Sequence, residues 1–170
     1  MNLACSGPAA GRSPEERLAQ MGVVLPPPPP PIGNFLTHVR EGELLFLSGQ
    51  GPREADGRLH TGKVGADVSV EQAYAHARLT GMNLLSVVRA ALGGLHRVRR
   101  VVKLLGMVNA TPDFTHHPDV INGCSDLLIM TFGENGQHAR SAVGLGSLPG
   151  NITVEIELVV AVEPFAPEKL

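Results

Sequence analysis

Apolar and polar positions along the chain mark out a short series of elements. Residues 44–48, Leu-Leu-Phe-Leu-Ser, form an apolar run between Gly42 and a Gly49-Gln50-Gly51-Pro52 turn, which predicts a strand. Residues 35–39 are placed to be its hairpin partner. Residues 51–65 carry the turn pairs Asp56-Gly57 and Thr61-Gly62 and predict a loop with at most one short strand. Ser69 and Gln72 have the spacing of a capping box. Val70, Ala73, Ala77, Leu84, Val88 and Ala91 then share one face of a long helix that Gly93-Gly94 stops. Residues 98–108, rich in Val and Leu, predict a strand. A second helix is expected from Pro118, burying Val120, Ile121, Cys124, Leu127 and Leu128 and ending at Gly133. Residues 139–145 predict a strand and Pro149-Gly150-Asn151 a turn. Residues 152–162 alternate most clearly: Val154, Ile156, Leu158, Val160 and Val162 fall on one side, Thr153, Glu155, Glu157, Val159 and Ala161 on the other.

The resulting order, β-β-α-β-α-β-β, predicts an α/β (α+β) domain with a single mixed sheet and two helices on one face. Helices between strands imply parallel crossovers, and the short last turn implies an antiparallel hairpin. Two helices leave the second face open. That face is expected to carry Val159, Ala161, Ala142 and Gly144 together with Glu155, Glu157 and Arg140. An exposed surface of this kind predicts contact with other copies of the chain.

Composition sets the first part of the chain apart. Eight of the 14 prolines lie in the first 31 residues, six of them consecutive from Pro26 to Pro31. Such a run favours polyproline II, so residues 1–31 read as an extension and 32–170 as the domain. The run reads as a spacer in preference to an SH3- or WW-type ligand. Before it, Ser13 as cap and Pro14 at the first helical position can start a short helix. Leu3-Ala4-Cys5 imitates a lipoprotein cleavage box but follows no apolar stretch, and reads as tail. A net charge of −2 and 4% aromatic residues argue against a nucleic-acid partner. No run reaches the ~18 apolar residues of a membrane span. Two cysteines, Cys5 and Cys124, build no disulfide framework and fit a reducing, cytoplasmic setting.

Candidate chemistry concentrates on Arg140 and Glu155. If the last two strands pair as a hairpin, both side chains reach the same open face. One reading is a structural ion pair at an interface. The other is a planar guanidinium holding a carboxylate beside a partly desolvated acid that moves a proton. Elsewhere the signals are weaker. Gly144-Leu-Gly146 starts like a dinucleotide fingerprint, but a proline and a strand follow it in place of a helix. His116, His117 and Asp119 sit at a helix start without a third metal ligand at a recognised spacing, so no metal site is expected. His138 reads as a loop residue. Arg97, Arg99, Arg100 and Lys103 read as a solvated edge, and Ser48 has no triad partners at a readable spacing.

Four segments together resemble the RidA/YjgF family of imine and enamine deaminases, also called the L-PSP endoribonuclease family. They are Leu45-Phe-Leu-Ser48-Gly49-Gln50-Gly51, Ala139-Arg140-Ser141-Ala142-Val143, Ser147-Leu-Pro149 and Val154-Glu155-Ile156-Glu157. The resemblance covers about residues 33 to 163. It implies a chorismate-mutase-like fold, a homotrimer with clefts between subunits, and hydrolysis of 2-aminoacrylate-like imino acids to 2-keto acids and ammonia without a cofactor. By motif, Arg140 matches the arginine that binds the substrate carboxylate and Glu155 the glutamate that handles water and protons. Ser48 and Gly49 match the segment beside the substrate, Asn122 the asparagine of the second helix, and Ala142 a place where some members have Cys. Phe35 stands where many active members have Tyr and lacks its hydroxyl. With the segment from Lys63 to Asp67 and the proline-rich extension, this points to a divergent subgroup. The same resemblance leaves a non-catalytic trimeric module for small keto or imino acids as the second reading, and an endoribonuclease as the third.

Overall fold

The best-patterned strand becomes the centre of the sheet. The computed structural model describes residues 11–164; Leu3-Ala4-Cys5 and residues 165–170 lie outside them. The elements are α1 (Pro14–Gln20), β1 (His38–Glu41), β2 (Leu44–Gln50), α2 (Val70–Leu92), β3 (Val98–Asn109), α3 (His117–Phe132), β4 (Ala139–Leu145) and β5 (Val154–Val162), with short 3₁₀ turns before β3, after α3 and before β5. The five strands form one sheet in the order β1-β2-β5-β3-β4. β1–β2, β2–β5 and β3–β5 are antiparallel, and β3–β4 is parallel. The inward side of β5 is fully buried, from Val154 to Val162, and its two ladders satisfy the backbone on both edges.

The expected hairpin between the last two strands does not form: β3 lies between β4 and β5. The link is not a two-residue hairpin turn. Its 3₁₀ turn, with Gly150 at φ 59° and Asn151 at φ 57°, carries the chain past the end of β3. There the Asn109 N–H donates to the Thr153 carbonyl at 2.9 Å. This has a direct consequence for side-chain direction. In the parallel β3–β4 register Arg140, Ala142 and Gly144 pair with Leu104, Gly106 and Val108, whose side of the sheet is buried under the helices. Arg140, Ala142 and Gly144 therefore face α3, and not the open face on which the sequence reading puts them. Glu155 pairs with Met107 and Glu157 with Leu105, on the open side.

Helices α2 and α3 cover one face, as the apolar stripes predict. The Ser69 capping box is made in both directions, and Gly93 ends α2 in the left-handed conformation. Val120, Ile121, Cys124, Leu127 and Leu128 are all fully buried. The two helices approach closely at Gly123, where a Cβ would lie 2.0 Å from the Tyr74 carbonyl oxygen. The Tyr74 hydroxyl donates to Asp126 across the same contact at 2.8 Å.

The proline-rich segment does not stand off from this body as a spacer. Ser13 caps α1 in a complete capping box. Leu18 and Leu25 join the main core. The Ser86 hydroxyl donates to the Pro26 carbonyl at 2.7 Å, and the Leu95 N–H to Glu15 at 2.5 Å. The apolar residues between the prolines are what anchor it, by burial of side chains that water would otherwise surround.

Candidate active site

The predicted site residues fall into two groups on opposite sides of the sheet. The first is built around a bulge in β2. Leu47 pairs with Leu158 and Gln50 with Ile156, so Ser48 and Gly49 together oppose Glu157 alone. Bulges of this kind re-aim side chains beside functional sites. Here it brings the Gly49 backbone over Glu155: a Cβ at Gly49 would lie 2.0 Å from a Glu155 carboxylate oxygen. Gly49, Glu155 and Phe35 line one pocket of about 480 Å³. Ser48 stands beside it and donates its hydroxyl to the Leu36 carbonyl at 2.7 Å, which holds the segment carrying Phe35. Burial pushes the Glu155 carboxyl above its ordinary value of 4.5, and the neighbouring Glu157 pushes it further.

The second group is built on α3 and the start of β4. One terminal nitrogen of Arg140, Nη1, donates to Asn122 Oδ1 at 2.7 Å and to Ser125 Oγ at 3.1 Å. Ser125 Oγ is 3.1 Å from His138 Nε2, and His138 Nδ1 is 2.6 Å from the Gly136 carbonyl. A carbonyl only accepts, so Nδ1 carries the ring proton and Nε2 accepts from the Ser125 hydroxyl. Burial lowers the His138 pKa, and the Arg140 cation lowers it further against the opposing Gly136 contact. The chain of donors thus runs in one direction, from Arg140 through Ser125 and His138 to the backbone. It orients Nη1 and leaves Nε and Nη2 without a partner among the described residues. That free edge has the planar fork geometry that can receive a carboxylate in two parallel bonds. Ala142 follows on the same side, opposite Gly106 and packed against the core. It lies outside the pocket that holds Glu155.

Sequence reasoning paired Arg140 with Glu155 and missed Ser125 and His138, which no spacing rule connects. It also missed Gln50, Arg53 and the prolines Pro29 to Pro31 as pocket walls. The remaining polar signals have local explanations. His116 pairs with Asp119 at the start of α3, and Gly144 leaves room for the His117 ring, which would lie 2.3 Å from a Cβ there. Arg99 pairs with Glu43. Cys124 is buried, its thiol pushed up to about 12 by desolvation against a weaker opposing pull from Arg140. Among the described residues no group of three or more His, Cys, Asp or Glu is placed to hold a metal ion, and no helix is long and apolar enough to cross a membrane.

A five-stranded mixed sheet with α2 and α3 on one face and a half-buried carboxyl over a strand bulge defines a chorismate-mutase-like α+β protein. Residues 15–161 match the family described as "YjgF/chorismate mutase-like, putative endoribonuclease", and the chain belongs to this family, the YjgF/RidA proteins. Protein TCP17 of Trypanosoma cruzi is 40% identical over 161 residues, covering 94% of this chain and 98% of that protein. Atu1372 of Agrobacterium tumefaciens, a crystal structure of unknown function, is 43% identical with a TM-score of 0.80, over 88% of this chain and 91% of that one. A crystal structure from Shewanella oneidensis, described as "a putative endoribonuclease", is 32% identical with a TM-score of 0.86, over 89% of this chain and all of that one.

Proposed function

We propose that the protein is an imine/enamine deaminase that hydrolyses 2-imino acids of the 2-aminoacrylate type to 2-keto acids and ammonia. The observation that carries this reading is the half-buried Glu155 carboxyl, held over the Gly49 backbone inside a largely apolar pocket. A carboxyl with a raised pKa is suited to exchanging protons with water near neutral pH.

The chemistry needs two groups. The substrate carboxylate binds the free edge of Arg140, whose other terminal nitrogen is tied to Asn122 and Ser125. Glu155 takes a proton from water as the water oxygen bonds to the imine carbon. That proton passes to the nitrogen to give the tetrahedral carbinolamine; Glu155 then relays the hydroxyl proton to the amino nitrogen as the carbon–nitrogen bond breaks and the carbonyl forms, and the keto acid and ammonia leave. The imine carbon is already electrophilic, so this sequence requires no cofactor. Within one chain Arg140 and Glu155 lie on opposite faces of the sheet. The reading therefore draws them from two copies, with the open face as the contact between copies and a homotrimer as the assembly. Exposed Val39, Phe46 and Val143 on that face support it.

Arg140→Ala tests the assignment. An amino acid oxidase generates imines from a panel of amino acids, and the rate of their hydrolysis is compared between wild type and variant. Loss of at least about 100-fold in kcat/KM is expected, since removing a charged hydrogen-bonding partner of the substrate costs about 3 kcal/mol. Wild-type rates in the variant refute the proposal. One observation favours the second reading, a non-catalytic binding module: Phe35 offers the pocket no hydroxyl. Calorimetric binding of a 2-keto acid without any imine hydrolysis would select it. The ribonuclease reading would require RNA cleavage that depends on Arg140, against a chain of net charge −2.

A further inference from the structure

The Glu155 pocket contains a cation that the deaminase chemistry does not use. Arg53 lines the same pocket, and its side chain makes no hydrogen bond or ion pair to any described residue. It is not paired with Glu155 across the space. Yet it is not a loose surface arginine. Its backbone carbonyl and that of Gly51 both accept from the buried Asn83 amide, at 2.9 and 3.1 Å. Arg53 and Leu59 form an antiparallel bridge that closes a tight loop. Within that loop the Glu54 N–H donates to the Arg58 carbonyl at 2.9 Å, and Asp56 accepts from the Arg58 N–H at 2.9 Å. The guanidinium then lies over Gly57: a Cβ there would be 3.2 Å from Arg53 Nη2. Gly57 is itself part of the pocket wall, so the charge is at the wall and not directed away from it.

Apart from Glu155 and Gln50, the side chains along the rest of the wall are apolar. Pro29, Pro30 and Pro31 face it from the N-terminal segment, and Leu59 and Ile152 complete it. At about 480 Å³ the space exceeds what the smallest imino acids fill. Arg53 is partly exposed at this wall, and its planar guanidinium has donors available to an acidic group of a bound ligand. We propose that Arg53 is a specificity-determining residue that binds a second, distal acidic group, and that the ligands are 2-imino or 2-keto dicarboxylates whose methylene chain lies on the proline wall. The inference rests on the deaminase reading for the α-carboxylate contact at Arg140, but the Arg53 contact itself is a binding property.

The test separates the two. Calorimetry compares 2-oxoglutarate with 2-oxopentanoate, acids of equal chain length that differ by the distal carboxylate, on wild type, Arg53→Gln and Arg58→Gln. The wild type should bind the dicarboxylate at least about tenfold more tightly, the usual yield of one charge-assisted contact. Arg53→Gln should reduce that ratio to near one, and Arg58→Gln, on the same loop but outside the pocket, should preserve it. Equal affinities in the wild type, a ratio that survives Arg53→Gln, or no binding of either acid at millimolar concentration overturns the proposal. The coupled imine assay is run in parallel with glutamate and norvaline as sources. An Arg53-dependent preference in binding without turnover leaves this inference standing and removes the deaminase reading. Turnover without any acidic preference does the reverse.

Discussion

Gly49 has a role that its residue type alone does not reveal. A glycine beside a serine in an apolar strand reads as the start of a turn. In the folded chain it is the floor under Glu155. Gly49→Ala places a methyl group where the carboxylate lies, and the flexible glutamate must move because the strand backbone cannot. The expected outcome is a fall in kcat/KM of at least about tenfold with a melting temperature within a few degrees of wild type, measured by kinetics and thermal unfolding on the same samples. The raised Glu155 pKa gives a second prediction. As a base the carboxyl must be ionised, so kcat/KM rises with pH through its pKa and the acid limb lies above the ordinary carboxylate value of 4.5. Glu157 raises that pKa by charge repulsion, and burial raises it more. Glu157→Gln should therefore move the limb to lower pH while leaving it above 4.5; a pH profile whose limb stays in place or moves upward contradicts the assignment. Arg140 and Glu155 were readable as residue types suited to carboxylate and proton chemistry. Ser125 and His138 were not, because their link to Arg140 depends on how α3 lies against β4.

Among the elements, the helices and strands were mostly readable and their partners were not. The capping box at Ser69, the left-handed Gly93 and the apolar stripe of α3 act locally, so local pattern predicts them. Strand pairing is a long-range choice. The last strand inserts between β2 and β3 because its buried side is apolar along its whole length and gains from neighbours on both edges. That choice reversed the face expected for Arg140. Helix contact is equally long-range: Gly123 sits inside a helix, where glycine is locally unfavourable, because the Tyr74 carbonyl of α2 occupies the space of its missing side chain. Gly123→Ala should destabilise the protein by about 2 kcal/mol net in urea unfolding, overpacking outweighing the better helix propensity of alanine. A neutral or stabilising result would show that the helices separate freely.

For the whole molecule, the open sheet face and the divided site lead to the same expectation. Phe46 and Val39 pair across β1 and β2, and Val159 pairs with Phe46 on the next strand, forming a continuous apolar surface on one chain. On the proposed trimer this surface is buried and Arg140 of one copy serves the pocket of another. Light scattering at micromolar concentration should give the mass of three chains, and Phe46→Glu should give a single-chain mass together with loss of imine hydrolysis. A monomeric wild type would contradict the shared site, and a monomeric Phe46→Glu that keeps full activity would contradict its location.

The sequence by itself determined the elements, the Ser13 and Ser69 caps and the buried sides of α2, α3 and β5, because these follow from periodicity and from interactions a few residues apart. It also singled out the candidate site residues through the four family-like segments. The tertiary structure decided which strands are neighbours, which face Arg140 takes, and that a bulge brings Gly49 onto Glu155. It also decided that the proline segment forms a pocket wall beside Arg53. Each of these depends on contacts between residues far apart in the chain. A one-residue change of register or an inserted strand redirects side chains without altering the local pattern.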